Sequence, residues 1–386
     1  MRLPWLGNSR RASRVPTSND IYHTEITADV PVPERNETVR FFSRKVIRPG
    51  KLRRFVNRDL RESLLSCFYL GVAALLPVSS WEPICGRVSG LRRKRHFRKE
   101  FARYDIAVKA VLGDTVDTRR MFEAQLAAVH RRRLTLAAHL VAGRRWSPAI
   151  RLEGLEALHQ ALRNGRGVII WCDQFTAQTI MGKRALHEAG VEAHQVSARY
   201  HGLSPSEFGL RVINPPLVKV ENRFLKSRIV FERTDAYQVT TRVQKVLKAN
   251  GVVLMTNTIY AGSAFAEAAM GERGWTHLAS APANFAARAG AALFHMATIE
   301  TIPFRQYRAI VSELSAGTQA PALPAGDTAA KNLAVQAGYI LSKRDHMLET
   351  LKLCPEQMMA WSSATRLTER PTEQSAMTAP ESPELF

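Results

Sequence analysis

The chain of 386 residues is short of acid: 34 Asp and Glu stand against 55 Lys and Arg, a formal charge of +21. Cysteine is sparse too. Cys67, Cys85, Cys172 and Cys354 lie too far apart for any metal-ligand spacing and read as reduced thiols in a cytoplasmic setting. No serine sits in a Gly-x-Ser-x-Gly elbow, and there is no phosphate-cradling glycine loop and no zinc spacing, so neither a metal nor a resident cofactor is expected. No apolar run reaches the roughly 20 residues that span a bilayer. A hydrophobic content of 45% is likewise too low for a polytopic membrane protein. No apolar core follows the first positive charges, which argues against a signal peptide. No segment repeats at a fixed period.

What is present is positive charge, and it calls for an anionic partner: nucleic acid or anionic lipid headgroups. Basic strands interleaved with aromatics and recognition-helix patterns are missing, so no specific nucleic-acid binding is expected. The longest apolar run, Leu64 to Val78, is flanked by Lys51, Arg53, Arg54, Arg58 and Arg61 before it. Arg87, Arg92, Arg93, Lys94, Arg95, Arg98 and Lys99 follow it. That pattern suits a helix lying in the cytoplasmic leaflet, where each flanking cation contributes about 1 kcal/mol. Its membrane-binding residues would be Leu64, Leu65, Phe68, Tyr69, Leu70, Leu75 and Leu76. The other reading is a core helix whose neighbours happen to be basic.

Composition divides the chain into a disordered basic leader (1–58), the hydrophobic helix with its basic flanks (59–96), a body (97–366) and a disordered tail (367–386). Two helices are expected between 97 and 145. In the body, an amphipathic helix ends at Gly165-Arg166-Gly167, and Val168 to Cys172 follows as a buried strand. Further helix–glycine–strand units lead to the strands Val252–Met255 and Ala291–Ile299. Their repetition predicts crossover units: an α/β fold with a mostly parallel central sheet flanked by helices. The N-terminal membrane-associated helix would be added to that body. Candidate chemistry belongs at the C-terminal end of the Val168–Cys172 strand.

Three segments carry a family resemblance. They are Glu153 to Ile170, with its Gly154, Glu156, Leu158 and Gly165-Arg166-Gly167-Val168-Ile169; Met270-Gly271 followed by Thr276 and Ala286 to Ala291; and Pro355-Glu356-Gln357-Met358-Met359-Ala360-Trp361. Together, in collinear order over about residues 60–366, they resemble the late lauroyl and myristoyl acyltransferases of lipid A (lipopolysaccharide) biosynthesis. The resemblance implies an α/β fold at the cytoplasmic face of the bacterial inner membrane. It also implies transfer of a fatty acyl group from acyl carrier protein thioester, or acyl-CoA, to a hydroxyl of a lipid or glycolipid. In that family a His followed four residues later by Asp or Glu does the chemistry. The imidazole takes the hydroxyl proton and the carboxylate orients it.

Aligned on Gly167, this chain places Gln174 at the histidine and Thr179 at the acid, and neither side chain performs those roles. The family's later Asp-Gln pair is Asn257-Thr258 here, and Arg199 matches a family arginine able to contact phosphate or carboxylate. Phe175, Asn257 and Gly271 complete the expected substrate-binding set with Arg199. Asp173 is a candidate replacement base, although a carboxylate of ordinary pKa, about 3.9, is a weak base for an alcohol unless burial raises it. Its other reading is a cap or loop hydrogen bond. Among His187, His194, His201 and His295, the polar loop around His201 makes it the best-placed base. Two readings stay open: a divergent acyltransferase with a relocated base, or a non-catalytic relative that binds an acyl chain, acyl carrier protein or an active partner enzyme.

Overall fold

The computed structural model describes residues 21–48, 50, 52–231, 236–257, 263–317 and 328–362. In chain order its strands are β1 (Ile21–Val32), β2 (Glu37–Arg48), β3 (Ala149–Glu153), β4 (Val168–Cys172), β5 (Ala193–Ala198), β6 (Ser227–Phe231), β7 (Val252–Thr256), β8 (Ala264–Met270), β9 (Gly274–Ala279), β10 (Ala292–Ile302) and β11 (Gln306–Glu313). The α-helices are α1 (Asn57–Leu75), α2 (Trp81–Leu112), α3 (Thr118–Val141), α4 (Leu155–Arg163), α5 (Lys183–Glu188), α6 (Pro215–Asn222), α7 (Ala236–Lys248), α8 (Ala281–Ala289) and α9 (Thr328–Leu353).

The central sheet runs β3-β11-β10-β4-β7-β5-β6. From β10 to β6 every pairing is parallel, and only β10 against β11 is antiparallel. The fold is therefore α/β with a mostly parallel sheet, as the helix–glycine–strand units predict. β4 is buried over its whole length because both faces are covered. Ile169 and Trp171 join Val253, Met255 and Leu293 under Val243, Leu247, Ile340 and Leu341 of α7 and α9. Val168, Ile170 and Cys172 pack the opposite way, against Leu158 and Ala161 of α4 and Ala185 and Leu186 of α5. Gly167 makes the turn into β4 at φ +71°, where a Cβ would stand 2.6 Å from the Leu247 carbonyl oxygen, so no side chain fits.

A second, antiparallel sheet has the order β1-β2-β8-β9. It corrects the expectation of a disordered leader over 1–58, because residues 21–48 form a hairpin whose second strand pairs with β8. Val39 and Phe41 are buried at alternate positions, and Phe42 stacks on Phe265 at 4.9 Å. This hairpin and α9 meet through Arg344, which binds Glu37. Residues 1–20 and the tail expected to be disordered at 367–386 lie outside the described residues.

The apolar run near the N-terminus is α1, closed at Leu76 and Pro77, and α2 starts afresh at Trp81. Among the described residues no helix is long and apolar enough to cross a membrane. α1 is amphipathic in an inverted sense. Its buried face carries Asp59 and Glu62 with Tyr69, Val72 and Ala73. Leu60, Leu64, Phe68, Leu75 and Leu76 face outward, 40–80% exposed. Tyr69 is fully buried, its hydroxyl 2.8 Å from His130 Nδ1, and Leu65 and Leu70 are half-buried, which corrects their expected place on a membrane-facing surface.

The inversion is stable because each buried carboxylate is matched. Ser206 Oγ donates to Asp59 at 2.7 Å and Ser204 Oγ does so too. Arg133 of α3 grips Glu62 with two bonds, 3.0 and 2.8 Å. Burial would raise the Glu62 pKa, but Arg133, Arg58 and Arg61 more than offset it and hold the carboxyl at about 2. Arg133→Met leaves that charge buried and alone. It is expected to cost about 3–5 kcal/mol in urea unfolding at neutral pH. Because the folded pKa is depressed, the pair's contribution is complete above the ordinary value of 4.5. The difference between wild type and variant is expected to shrink as pH falls from there toward 2.

Candidate functional site

β4 delivers Asp173 to the C-terminal edge of the sheet, where its backbone N–H donates to the Met296 carbonyl at 2.8 Å. The side chain does not reach the surface. Lys343 of α9 meets Asp173 Oδ1 at 2.6 Å, with both side chains 0% exposed. The same ammonium donates to the Trp171 carbonyl and to His295 Nδ1, each at 2.8 Å, so its three protons have three acceptors. Burial pushes the Asp173 carboxyl up and the Lys343 ammonium down, and the attraction between them opposes both shifts. Burial, with Lys343 and His346 nearby, keeps His295 well below the usual histidine range, so its ring is neutral with the proton assigned to Nε2. Asp173 and His295, 3.6 Å apart, thus form part of a sealed ion cluster and make no base at a mouth.

The loop after β4 is covered by the C-terminal Pro355–Trp361 segment. Phe175 forms a β-bridge with Met358, and the Gln174 carbonyl accepts from the Met359 N–H at 2.8 Å. Gln357 clamps β10: its Oε1 accepts from the Glu300 N–H at 2.7 Å and its Nε2 donates to the Glu300 carbonyl at 2.8 Å. The C-terminal Pro355–Trp361 segment therefore packs on the loop that follows β4 and on β10. Phe175, 1% exposed, belongs to the core and not to a binding surface. Asn257, 2% exposed, receives the Ala279 N–H on its Oδ1 at 3.3 Å and ties β7 to β9. Gly271 turns the β8–β9 hairpin at φ +70°, where a Cβ would lie 2.0 Å from the Val111 carbonyl oxygen. Packing and backbone geometry thus account for the positions of these three residues of the expected substrate-binding set. Arg199 is exposed just beyond β5.

Thr179 sits in a widened helical turn, Gln178–Gly182, that leads into α5. Its hydroxyl accepts from Arg132 Nη2 at 3.3 Å and its carbonyl from Lys183 Nζ at 2.7 Å. Lys183 continues to Glu221 of α6 at 3.0 Å, and Glu221 meets His201 Nε2 at 2.9 and 3.0 Å and Arg228 at 2.5 Å. His201 is therefore a histidine paired with a carboxylate that Lys183 and Arg228 share, three polar contacts from Thr179. Glu221 is 0% exposed, whereas the His201 side chain is 26% exposed. Burial alone would raise the Glu221 pKa; Lys183, His201 and Arg228 instead hold it well below the carboxylate range. With Nε2 donating to Glu221, Nδ1 is the nitrogen that can take a proton. His187 is exposed, and His194 bonds Ser227 Oγ at 2.7 Å across two strands; among the described residues neither meets a carboxylate at salt-bridge distance.

A cavity of about 20 Å³ opens beside Thr179, lined by Arg131, Arg132, Thr135, Thr176, Glu300 and Tyr307 among others. Glu221, Lys343 and Arg132 escaped the sequence reading. Lys343 alone carried a signal: it occupies the buried stripe Gln336, Ile340, Lys343, Met347 and Thr350 of α9, where a lysine requires an internal partner. In comparison with known proteins, no family model and no curated protein sequence matches the chain.

Gln357→Leu removes both bonds of the clamp and leaves two backbone groups of Glu300 without partners. It is expected to cost about 2–4 kcal/mol in urea unfolding. Gln357→Glu, which still accepts from the N–H, is expected to cost less.

Proposed function

We propose that this chain is a membrane-surface acyltransferase that moves a fatty acyl group from an acyl carrier protein thioester, or acyl-CoA, to a hydroxyl of a lipid or glycolipid at the cytoplasmic face of the bacterial inner membrane. The observation that carries the reading is the His201–Glu221 pair at the C-terminal edge of the parallel sheet, beside the turn that holds Thr179. His201 Nδ1 takes the acceptor hydroxyl's proton while Glu221 holds the Nε2 proton and stabilises the imidazolium. The hydroxyl oxygen attacks the thioester carbonyl, the tetrahedral intermediate collapses, and the thiolate leaves with the proton from His201. Lys183 and Arg228 keep Glu221 ionised for this role. Gln174 and Thr179 then shape the loop and take no proton. The collinear segments around Gly154, Gly271 and Gln357 support the same family of reactions.

Membrane attachment is supported by the outward face of α1, where Leu60, Leu64, Phe68 and Leu75 recur at helical spacing beside exposed Arg53, Arg54 and Arg87. Such a helix lies in the interface plane without crossing it. Leu64→Ser with Phe68→Ser exchanges exposed residues only. Each apolar side chain is worth about 1.5–3 kcal/mol when buried, so the double variant is expected to bind anionic phospholipid vesicles at least ~10-fold more weakly. Its urea midpoint is expected to stay unchanged. Equal vesicle binding would count against α1 as the attachment surface.

A second reading, a non-catalytic relative that binds an acyl chain or a partner enzyme, is favoured by one observation: the loop after β4 is closed by Met358 and Met359, leaving only about 20 Å³ beside Thr179. Acyl transfer by detergent-purified protein separates the two. The first reading expects turnover that falls about 10²–10⁴-fold in His201→Gln and Glu221→Gln. Background turnover in wild type and both variants, tested over a panel of carriers and acceptors, would establish the second.

A further inference from the structure

The three consecutive arginines of α3 have different fates. Arg131 Nε donates to Glu300 Oε2 at 2.5 Å, and Arg133 is spent on Glu62. Arg132 lies between them, half-buried, and its one hydrogen bond is the long contact to Thr179 Oγ1 at 3.3 Å. Among the described residues no carboxylate comes within 4.0 Å of its guanidinium. The two acids that act on it from farther away are already engaged: Glu221 by Lys183, His201 and Arg228, and Glu62 by Arg133 and Arg61. Burial, reinforced by Arg133, pushes the Arg132 guanidinium down to about 10 despite Glu221 and Glu62. The protein therefore holds a half-buried cation without a counter-ion within 4.0 Å among the described residues, in the lining of a cavity of about 20 Å³, where its guanidinium is open to an anion from outside.

The walls of the cavity define that anion. Thr135, Thr176 and Thr179 line the cavity, the Thr179 hydroxyl in contact with Arg132, while the acid in the wall, Glu300, is neutralised by Arg131. A carboxylate offers two acceptor oxygens, which the guanidinium fork alone occupies. A phosphate offers more, so one oxygen enters the cavity and meets the threonines while others pair with the fork in the opening.

We propose that this cavity is a binding site for a phosphate group, with Arg132 as the residue that receives its charge. The site stands on its own geometry and does not require that His201 support turnover. Two sources share this chemistry, free phosphate and the phosphate of a lipid headgroup. The lipid source is included because α1, whose outward face is apolar, packs on α3, the helix that carries Arg132, through Glu62 and Arg133.

Thermal unfolding of the full chain tests the site by mass action, because a ligand bound to the folded state raises the midpoint with its concentration. One arm uses inorganic phosphate against sodium chloride at matched ionic strength. A second uses a short-chain phosphatidic acid below its micellar concentration. The wild type is expected to be stabilised by at least one probe, and Arg132→Gln to bind that probe about 10–100-fold more weakly. Stabilisation by phosphatidic acid alone assigns the site to a lipid headgroup, and stabilisation by both assigns it to phosphate in general. Should Arg132→Gln not fold, Arg132→Lys keeps the charge without the fork and is expected to weaken the probe as well. The site is overturned by no stabilisation with either probe, or by an unchanged response in the folded Arg132 variant.

Discussion

The contact on which the rest of this structure depends is the buried ion pair between Asp173 and Lys343. It joins the residue that follows the central strand β4 to the middle of the long helix α9, with both side chains fully buried. Lys343 is saturated by Asp173, the Trp171 carbonyl and His295 Nδ1, which fixes the position of α9 against both β4 and β10. The described residues C-terminal to α9, up to 362, inherit that position. The 355–361 segment reaches the loop after β4 because α9 is held there, and the Phe175–Met358 bridge and the Gln357 clamp then close the loop. A carboxylate that looked available for chemistry is thereby made part of the frame.

The polar network on the other side of that loop obeys the opposite rule. Around Thr179 the charges form a chain, from Arg132 through the turn to Lys183, Glu221, His201 and Arg228. It ends at a ring that remains partly open to solvent. The Asp173 cluster is fully buried, whereas this one keeps a half-buried histidine and a half-buried arginine at its two ends. Buried charges are tolerated only where each is matched. The unmatched member, Arg132, is therefore as informative as the matched pair at His201. The inverted α1 helix adds a third element, since its carboxylates face inward onto α3 and leave its leucines outside.

The parallel core was legible because β4, β7 and the first half of β10 are largely apolar segments introduced by glycine or by Asn250-Gly251, a pattern that suits strands covered on both faces. The small sheet was not. β1 carries a proline, Pro31, and β2 three arginines, and among the described residues of the two strands Val39, Phe41 and Phe42 mark the buried face, too little apolar signal to separate a half-covered hairpin from a basic leader. At the site, His201 stood out in sequence by its polar loop, but its partner Glu221 comes from another element, and spacing along a chain does not report such a meeting. Phe175, Asn257 and Gly271 were placed on the substrate by resemblance; packing, a β7–β9 tie and a close backbone approach account for them instead. Pairings across distant elements are decided by the sheet order, and the sheet order is what local pattern does not contain.

The most direct test of this account is a double-mutant cycle on the pair itself, with Asp173→Asn, Lys343→Met and the double variant followed by urea unfolding. Each single change strands a buried partner and is expected to cost about 3–5 kcal/mol. The double variant is expected to cost clearly less than the two together, a coupling of about 1–3 kcal/mol. Additive losses, or an Asp173→Asn protein as stable as wild type, would contradict the claim that Asp173 is held as a structural charge by Lys343.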